Sequence, residues 1–431
     1  MENESLKSDK KFLLKSTLYN VLSTALKVAG PVLAILTARI FGKEEFGIFV
    51  STQLWVLTLS RISVLGLDKG LNWFLPQNSV HNRPQHLGYY ESMNRSVIIA
   101  AGITLVFLFI KPALYLYAIS LVPWVMLHIF GGSAEGMRKP QYKMFITDCM
   151  VAAVSPLIAI AFYFAGIPNA LPLGLLCANI LGCVIYLPLM RKLLPEARFT
   201  REGVPKQLLL YSLPRGFSEV VTSVLLRMDL WMVMLLLGPA SAGIYAVMLT
   251  ISNALRTIRQ SFNPILLPVV AGMSAERLKT DLKPVFSYCV GMVTFIQLVI
   301  GVFLVLFPSE IMMIAGKDFI AQPETLGILL FANLLGGFFG MAGTTLNGMG
   351  KSFFTLKIDI VSLFAALILN FLLIPAFGLP GAALSTLLFT LLQAVWNNAY
   401  MLRSGFWPYS RKLFLNGLGV IALIFLYIFR T

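Results

Sequence analysis

Seven basic side chains lie inside stretches of sequence that are otherwise apolar enough to span a membrane. One such charge at the centre of a bilayer costs about 2.5–3.5 kcal/mol on insertion scales, so each must face protein or water. The seven residues are Lys27, Arg39, Arg61, Arg215, Arg227, Arg256 and Arg259. The acidic residues at comparable depth are only Glu219, Asp229, Asp148 and Asp359. Mutual pairing cannot neutralise the whole set, and we therefore expect a helical bundle with a wet, cationic interior suited to an anion.

The composition is that of an integral membrane protein. Of the 431 residues, 58% are hydrophobic and 12% are charged, whereas soluble domains carry about 25% charged residues. Lipid cannot satisfy open backbone groups, so the apolar stretches must be helices. We predict an all-α protein with about thirteen transmembrane helices. Their cores are 17–41, 46–66, 94–110, 113–131, 145–165, 170–190, 208–237, 241–270, 285–307, 324–346, 356–376, 380–401 and 413–429.

The distribution of basic residues between the predicted connections sets the orientation. Most Lys and Arg outside the spans lie on the N-terminal tail and on every second connection. The opposite side holds only Lys43, Lys111, Lys317 and Arg430. The positive-inside rule then predicts a cytoplasmic N-terminus. The same dispersal argues against a nucleic-acid partner, because no basic patch with interleaved aromatics is formed.

Two parts of the chain share a glycine motif. Gly42 is followed five residues later by Gly47, and Gly238 is followed at the same spacing by Gly243. In both places the glycines bracket a short turn between spans, where unusual backbone angles are needed.

The repeat predicts a parallel duplication of six spans, because an even number of spans keeps both halves in one orientation. We predict a six-helix lobe over 12–190 and a second one over 208–403, arranged around a central cavity. A basic cytoplasmic linker, 191–207, joins the lobes, and an extra C-terminal transmembrane helix covers 411–431.

Polar residues form stripes along three of the predicted helices. On the eighth span they recur every three or four residues, which places them on one helical face. Stripes of this kind must face the bundle interior or a cavity. Arg61, on the second span, belongs to the same set because the repeat registers it opposite position 257. The residues proposed to face the interior are Lys27, Arg61, Arg227, Arg256, Arg259, Asn20, Asn253, Gln260 and Asn263.

Several of these charges also have ordinary structural explanations. Arg39 lies near the outer end of its helix and is expected to extend to the interface. Arg215 and Glu219 are four residues apart, so an ion pair along the helix is an alternative to a binding role. Arg256 and Arg259 are like charges three apart, which repel unless an anion or a carboxylate bridges them.

Signals for other chemistry are weak. The segment 348–352 looks like the end of a phosphate-binding loop, but Thr345 occupies the place of its first glycine and no strand precedes it. The three histidines and four cysteines have no spacing typical of a metal site or a catalytic triad. We expect neither a metal nor a cofactor.

Several short stretches of the sequence resemble the bacterial polysaccharide-biosynthesis flippases. These transporters belong to the multidrug/oligosaccharidyl-lipid/polysaccharide exporter superfamily. The similar stretches are ARIFGKEEFGIF at 38–49, GLDKG at 66–70, YSLP at 211–214, RMD at 227–229, GIY at 243–245 and FNP at 262–264. The similarity runs from about residue 12 to residue 405, and order and spacing carry it more than any single motif.

The resemblance implies a flippase of the bacterial cytoplasmic (inner) membrane that works by alternating access. Its cargo would be an oligosaccharide on an undecaprenyl-pyrophosphate carrier, used for capsule, exopolysaccharide or lipopolysaccharide O-antigen. Lys27, Arg61, Arg227, Arg256 and Arg259 would contact the pyrophosphate. The amides named above would bind sugars or the head group. Its partners would be membrane lipids, a polysaccharide polymerase and glycosyltransferases.

Two other functions are alternatives. A drug or cation antiporter of the same superfamily usually carries a carboxylate in its first span, where this chain has Lys27; Asp229 and Asp359 would then be the candidates for ion coupling. A membrane polysaccharide polymerase or ligase is expected to have a large outer loop with catalytic residues, whereas the predicted outer turns here are short.

Overall fold

The computed structural model describes most of the chain. The described residues are 2–80, 84, 86–137, 139–148, 150–195, 203–225, 227–271, 278, 280–320, 322–406, 409, 413, 417 and 419–420, and before residue 30 they are described as backbone only. Within these ranges the secondary structure is helical, without a strand, which confirms the predicted all-α class. The predicted C-terminal helix over 411–431 lies almost entirely outside them.

The helices follow one another with short connections. In chain order they are α1 Glu2–Val64, α2 Leu67–Val80, α3 Tyr89–Ile110, α4 Tyr115–Gly136, α5 Pro140–Tyr142, α6 Ser155–Phe164, α7 Ala170–Leu193, α8 Lys206–Leu225, α9 Met228–Leu237, α10 Pro239–Ala271, α11 Leu282–Leu306, α12 Pro308–Met313, α13 Pro323–Phe339, α14 Met341–Gly348, α15 Ser352–Phe377 and α16 Leu379–Arg403. Between α5 and α6 the chain is π-helical over Lys143–Asp148 and Met150–Val154.

The helices make this a multi-pass membrane protein. Among the described residues, 8 helices are long and apolar enough to cross a bilayer, and the bent pair α8 and α9 makes up to 9. Length and hydropathy decide this, since a helix needs about 20 apolar residues to cross the hydrocarbon. The count of about thirteen spans stays a prediction.

Packing divides the chain into two compact units. Unit 1 comprises Met1–Thr37 and Thr52–Ser223, and unit 2 comprises Ala38–Ser51 and Val224–Thr431. Most of α8 therefore packs within unit 1, while the turn around Gly42 packs within unit 2. The lobe boundaries drawn from the sequence stay a prediction.

In unit 2 the repeated glycine motif has two separate physical roles. Gly42 and Gly238 adopt positive φ angles of 81° and 84°, which confirms the need for unusual backbone angles at the turns. Gly47 and Gly243 lie instead within helices. Each faces the helical turn that precedes the other glycine. A Cβ on Gly47 would overlap the carbonyl oxygen of Pro239, and one on Gly243 would overlap that of Lys43. The contact is thus reciprocal, as expected if the two segments arose from a duplication.

In unit 1 a second pair of small residues brings two chain segments into backbone contact. A Cβ on Gly66 would overlap the backbone of Ser212 and Gly216, and one on Gly216 would overlap the backbone of Leu65. Gly70 faces the Ser212 hydroxyl at similarly close range. Small residues four apart in both segments, Gly66 and Gly70 at the start of α2 and Ser212 and Gly216 on α8, are a common means of close helix approach in membranes. This contact fixes α8 against the start of α2.

The reciprocal contact predicts that Gly47→Ala destabilises the protein. The added methyl group has no room beside the Pro239 carbonyl, and forced overpacking costs about 1–3 kcal/mol. The measurement is the apparent Tm of the detergent-solubilised protein. Gly102→Ala is the matched control, because Gly102 is helical with nothing within 4 Å of its added Cβ. Equal Tm values for the two variants would contradict this packing.

Candidate functional site

The polar stripe on α10 contains two guanidinium groups that have no carboxylate partner in the described part of the chain. Arg256 and Arg259 are both partly buried, and no carboxylate of a described residue lies within 4.0 Å of either. The Nε of Arg256 is buried and has no hydrogen-bond partner among the described residues. A buried donor left open costs about 1–3 kcal/mol, more when it is charged. The pair therefore retains an unused capacity to bind an anion.

Arg259 is held by a glycine-lined notch at the C-terminal end of α13, formed by Gly336 and the following Gly340. Its Nη1 donates a hydrogen bond to the Gly336 carbonyl oxygen at 3.3 Å. A Cβ on Gly340 would overlap this same nitrogen, so the guanidinium group fits only because position 340 has no side chain. This carbonyl oxygen uses one of the five N–H donors, and no other acceptor for them is found among the described residues, which leaves them for a ligand.

Gln297 of α11 holds α10 in place beside the arginines. Its Nε2 donates to the Leu255 carbonyl oxygen at 2.8 Å, and the side chain is fully buried. Gly337 makes room for this amide, since a Cβ there would overlap it. Neighbouring glycines of α13 thus accommodate one side chain from α10 and one from α11.

The amides predicted to bind sugars differ in their surroundings. Asn263 accepts a hydrogen bond from the Thr344 hydroxyl at 2.9 Å. Asn253 is partly buried and Gln260 is exposed. Asn20 lies in α1, where only the backbone is described.

Asp229, at the start of α9, is a buried carboxylate with several donors. Its Oδ1 accepts from the Leu230 amide at 2.8 Å, and its Oδ2 accepts from the Tyr245 hydroxyl at 2.9 Å and the Thr386 hydroxyl at 3.1 Å. Charged buried groups are tolerated when hydrogen-bonded in this way. Asp229 thereby joins α9, α10 and α16.

Asp359, the second candidate for ion coupling, has a simpler environment. It lies on α15 and accepts one hydrogen bond from Gln393 Nε2 of α16, at 3.0 Å. Its side chain is partly buried.

Arg61 of unit 1 differs from the unit 2 pair because carboxylates surround it. Its Nη1 lies 3.0 Å from Glu219 Oε2 and 3.6 Å from Asp68 Oδ2. Lys69 Nζ lies 3.7 Å from the other oxygen of Glu219. Glu219 therefore pairs with two cations that are far from it in the sequence. Spacing along the helix favours Arg215 as its partner, and Arg215 is exposed.

The remaining predicted cations are placed as follows. Arg227 is exposed, in the turn between α8 and α9. Arg39 is exposed on α1, where we expect it to extend to the interface. The Lys27 side chain lies outside the described part of the chain.

Several interacting residues were not predicted from the sequence. Lys69 and Asp68 lie within a motif that was noted only for its resemblance, and Gln297 is a single polar residue in a very apolar helix. An isolated glutamine in such a helix is the signal that was available for Gln297. The described residues contain no group of three His, Cys, Asp or Glu able to hold a metal ion.

Comparison with known proteins assigns the chain to a family. The family model described as "Polysaccharide biosynthesis protein" matches residues 13–274. A capsular polysaccharide biosynthesis protein of Staphylococcus aureus, CapF, is 29% identical over 187 residues, or 42% of this chain. The chain spans less than half, 46%, of that relative's length in this match.

Two solved structures show the fold over nearly the whole chain. The lipid II flippase MurJ, in an inward closed conformation, has a TM-score of 0.69 at 12% identity and covers 95% of this chain and 98% of its own. An inward-facing multidrug resistance MATE family transporter of the MOP superfamily has a TM-score of 0.66 at 15% identity and covers 94% of each chain. At such identities the likeness establishes the fold alone.

The hydrogen bonds of Asp229 predict that Thr386→Val destabilises unit 2. Removing one donor from a buried carboxylate in a membrane protein costs about 0.5–2 kcal/mol. Thr390→Val is the matched control, because the Thr390 hydroxyl lies one turn further on α16 and, among the described residues, donates to the Thr386 carbonyl oxygen and not to a carboxylate. Unfolding of the two variants in guanidinium or SDS measures the difference in their free energies of unfolding. Equal stabilities would show that the Thr386 bond to Asp229 contributes nothing.

Proposed function

The chain belongs to the polysaccharide biosynthesis protein family, and on that premise we propose that it is a flippase for a lipid-linked oligosaccharide. The cargo is an oligosaccharide on an undecaprenyl-pyrophosphate carrier, moved across the bacterial cytoplasmic membrane by alternating access. The product serves capsule, exopolysaccharide or O-antigen synthesis. The positive-inside distribution supports a cytoplasmic N-terminus.

The observation that carries the proposal is the pair Arg256 and Arg259 on α10. Their guanidinium groups have no carboxylate within 4.0 Å among the described residues, and Arg256 retains an open buried donor. Two like charges three residues apart repel each other in an apolar bundle. An anion that binds both removes the repulsion and satisfies the donors.

A diphosphate suits this pair better than a carboxylate does. Each guanidinium group presents N–H donors in a planar fork that matches two phosphate oxygens. The diphosphate that joins a polyprenol to an oligosaccharide is esterified at both ends and carries one negative charge per phosphorus, so two arginines balance it. The polyprenyl tail is apolar and can stay in the lipid while the head group moves.

The other predicted residues have supporting roles in this proposal. Lys27, Arg61 and Arg227 are further cations for the phosphates, and Asn20, Asn253, Gln260 and Asn263 are donors and acceptors for sugar hydroxyls. Asp229 and Asp359 are the candidates for ion coupling. The likeness to a MATE transporter keeps a drug or cation antiporter as the alternative function.

We predict that Arg256→Ala/Arg259→Ala weakens binding of undecaprenyl pyrophosphate by more than about tenfold. Charge-assisted hydrogen bonds contribute about 1.5–3 kcal/mol each, so even one lost contact gives this factor. The measurement is titration of the purified protein in detergent, followed by native mass spectrometry.

Arg39→Ala is the control for this experiment, because Arg39 is an exposed arginine on α1. It should bind the lipid as the wild type does. Undiminished binding by a correctly folded double variant would contradict the proposal. Export of a cationic dye, with no binding of the lipid, would support the antiporter instead.

A further inference from the structure

In unit 1, Arg61 and Lys69 share one carboxylate, that of Glu219, which is more exposed than the other carboxylate beside Arg61. Glu219 contacts both Arg61 and Lys69, and its side chain is 28% exposed. Asp68 also lies within ion-pair distance of Arg61, but its side chain is only 2% exposed. One carboxylate is thus partly exposed and the other is enclosed.

We propose that Arg61 and Lys69 form a second phosphate-binding subsite, in which Glu219 occupies the place of a phosphate until the head group displaces it. This inference rests on the proposed function, since it assigns the same diphosphate lipid as the ligand. It adds a residue that tunes affinity, Glu219, and a second cation, Lys69.

The balance of charge permits this exchange. Two cations and two carboxylates make the cluster neutral as it stands. Replacing the Glu219 carboxylate by one phosphate of the diphosphate, with one negative charge, leaves the cluster neutral. Adding a phosphate without displacing Glu219 would leave a net negative charge in a partly buried site, which is unfavourable.

The strength of the existing contacts also permits it. Ion pairs with partly exposed side chains are weak, because water competes for both partners. Arg61 and Lys69 are 25% and 27% exposed, so the pairs with Glu219 are of this kind. A phosphate with bidentate geometry on the guanidinium group is the stronger partner.

Asp68 is suited to keep Arg61 in place during the exchange. Neither of its carboxylate oxygens has a hydrogen bond among the described residues, although Oδ2 lies 3.6 Å from Arg61 Nη1. Its backbone is fixed as well, since a Cβ on Gly132 of α4 would overlap it. Asp68 is therefore a positioning residue that holds one side of the guanidinium group when Glu219 leaves.

The contact between α8 and the start of α2 fixes the backbone on both sides of the subsite. Glu219 lies three residues beyond Gly216, and Asp68 and Lys69 lie between Gly66 and Gly70. These glycines bring the two backbones into direct contact, so we place the exchange in the Glu219 side chain and not in a separation of the helices. The exchange then requires only rotation of the Glu219 side chain.

The experiment compares binding of undecaprenyl pyrophosphate by wild type, Glu219→Gln, Arg61→Ala and the Arg61→Ala/Glu219→Gln double variant. Glutamine keeps the size of the side chain and removes its charge. We expect Glu219→Gln to bind about two- to fivefold more tightly, the range set by a partly exposed ion pair. In the Arg61→Ala background, Glu219→Gln should raise the affinity for the lipid by a clearly smaller factor. The reason is that Arg61, the cation for which Glu219 and the phosphate compete, is then absent.

Glu135→Gln is the matched control. Glu135 pairs with Lys143 at 3.0 Å in the same unit and has a similar exposure of 22%, but it does not contact Arg61 or Lys69. It should leave the affinity unchanged. If Glu219→Gln lowers the yield of folded protein, Glu219→Asp retracts the carboxylate by one methylene and should give a smaller gain of the same sign.

Two results would overturn the inference. One is an unchanged or weaker affinity in Glu219→Gln while the wild type binds the lipid and depends on Arg256 and Arg259. The other is an equal gain in Glu135→Gln or an undiminished gain in the Arg61→Ala background, which would reveal a general effect of net charge. Failure of the proposed function itself is distinct, because then the wild type does not bind the lipid or its binding does not depend on Arg256 and Arg259.

Discussion

Every basic side chain placed inside an apolar bundle must find a partner, and the rest of this structure follows from how that requirement is met. Arg61 has carboxylates at 3.0 and 3.6 Å. Arg259 has a backbone carbonyl oxygen at 3.3 Å. Arg256 keeps a buried N–H with no partner among the described residues. A charge without a counter-ion is costly in a membrane, so a chain that retains one is expected to use it. This difference between the two units carries the proposed head-group site.

Glycine positions make these arrangements possible because they let backbone and guanidinium groups approach each other closely. The notch at Gly336 and Gly340 admits Arg259, and Gly337 admits the amide of Gln297. The contact of Gly66 and Gly216 sets α8 beside the start of α2, where Arg61, Lys69 and Glu219 meet. The close approach of helices and the placement of charged side chains therefore depend on the same kind of residue. A methyl group at these positions would push the neighbouring backbone or side chain away.

The sequence predicted what depends on local pattern. Apolar length gave the all-α membrane class, and the predicted span 241–270 agrees with α10, Pro239–Ala271. The turn glycines Gly42 and Gly238 have the expected backbone angles. Partners distant in sequence were beyond reach: spacing offered Arg215 to Glu219, whereas the fold supplies Arg61 from 158 residues away. The Gly336 carbonyl oxygen, which accepts the hydrogen bond from Arg259, is likewise 77 residues away in the sequence. Periodicity places a side chain on a helix face, but only tertiary packing decides what faces it.

The central claim is that the guanidinium groups of α10 bind phosphate directly, and a distance measurement tests it most closely. Solid-state NMR of the protein in lipid bilayers, with ¹⁵N-labelled arginine, detects ¹⁵N–³¹P dipolar coupling to bound undecaprenyl pyrophosphate. The account predicts coupling at guanidinium nitrogens at the short distance of a charge-assisted hydrogen bond. It also predicts that the coupling weakens when Arg256 and Arg259 are both replaced by lysine, because only the other arginines proposed to contact the phosphates then remain. Bound lipid without such coupling, or coupling that persists unchanged in the lysine variant, would contradict it.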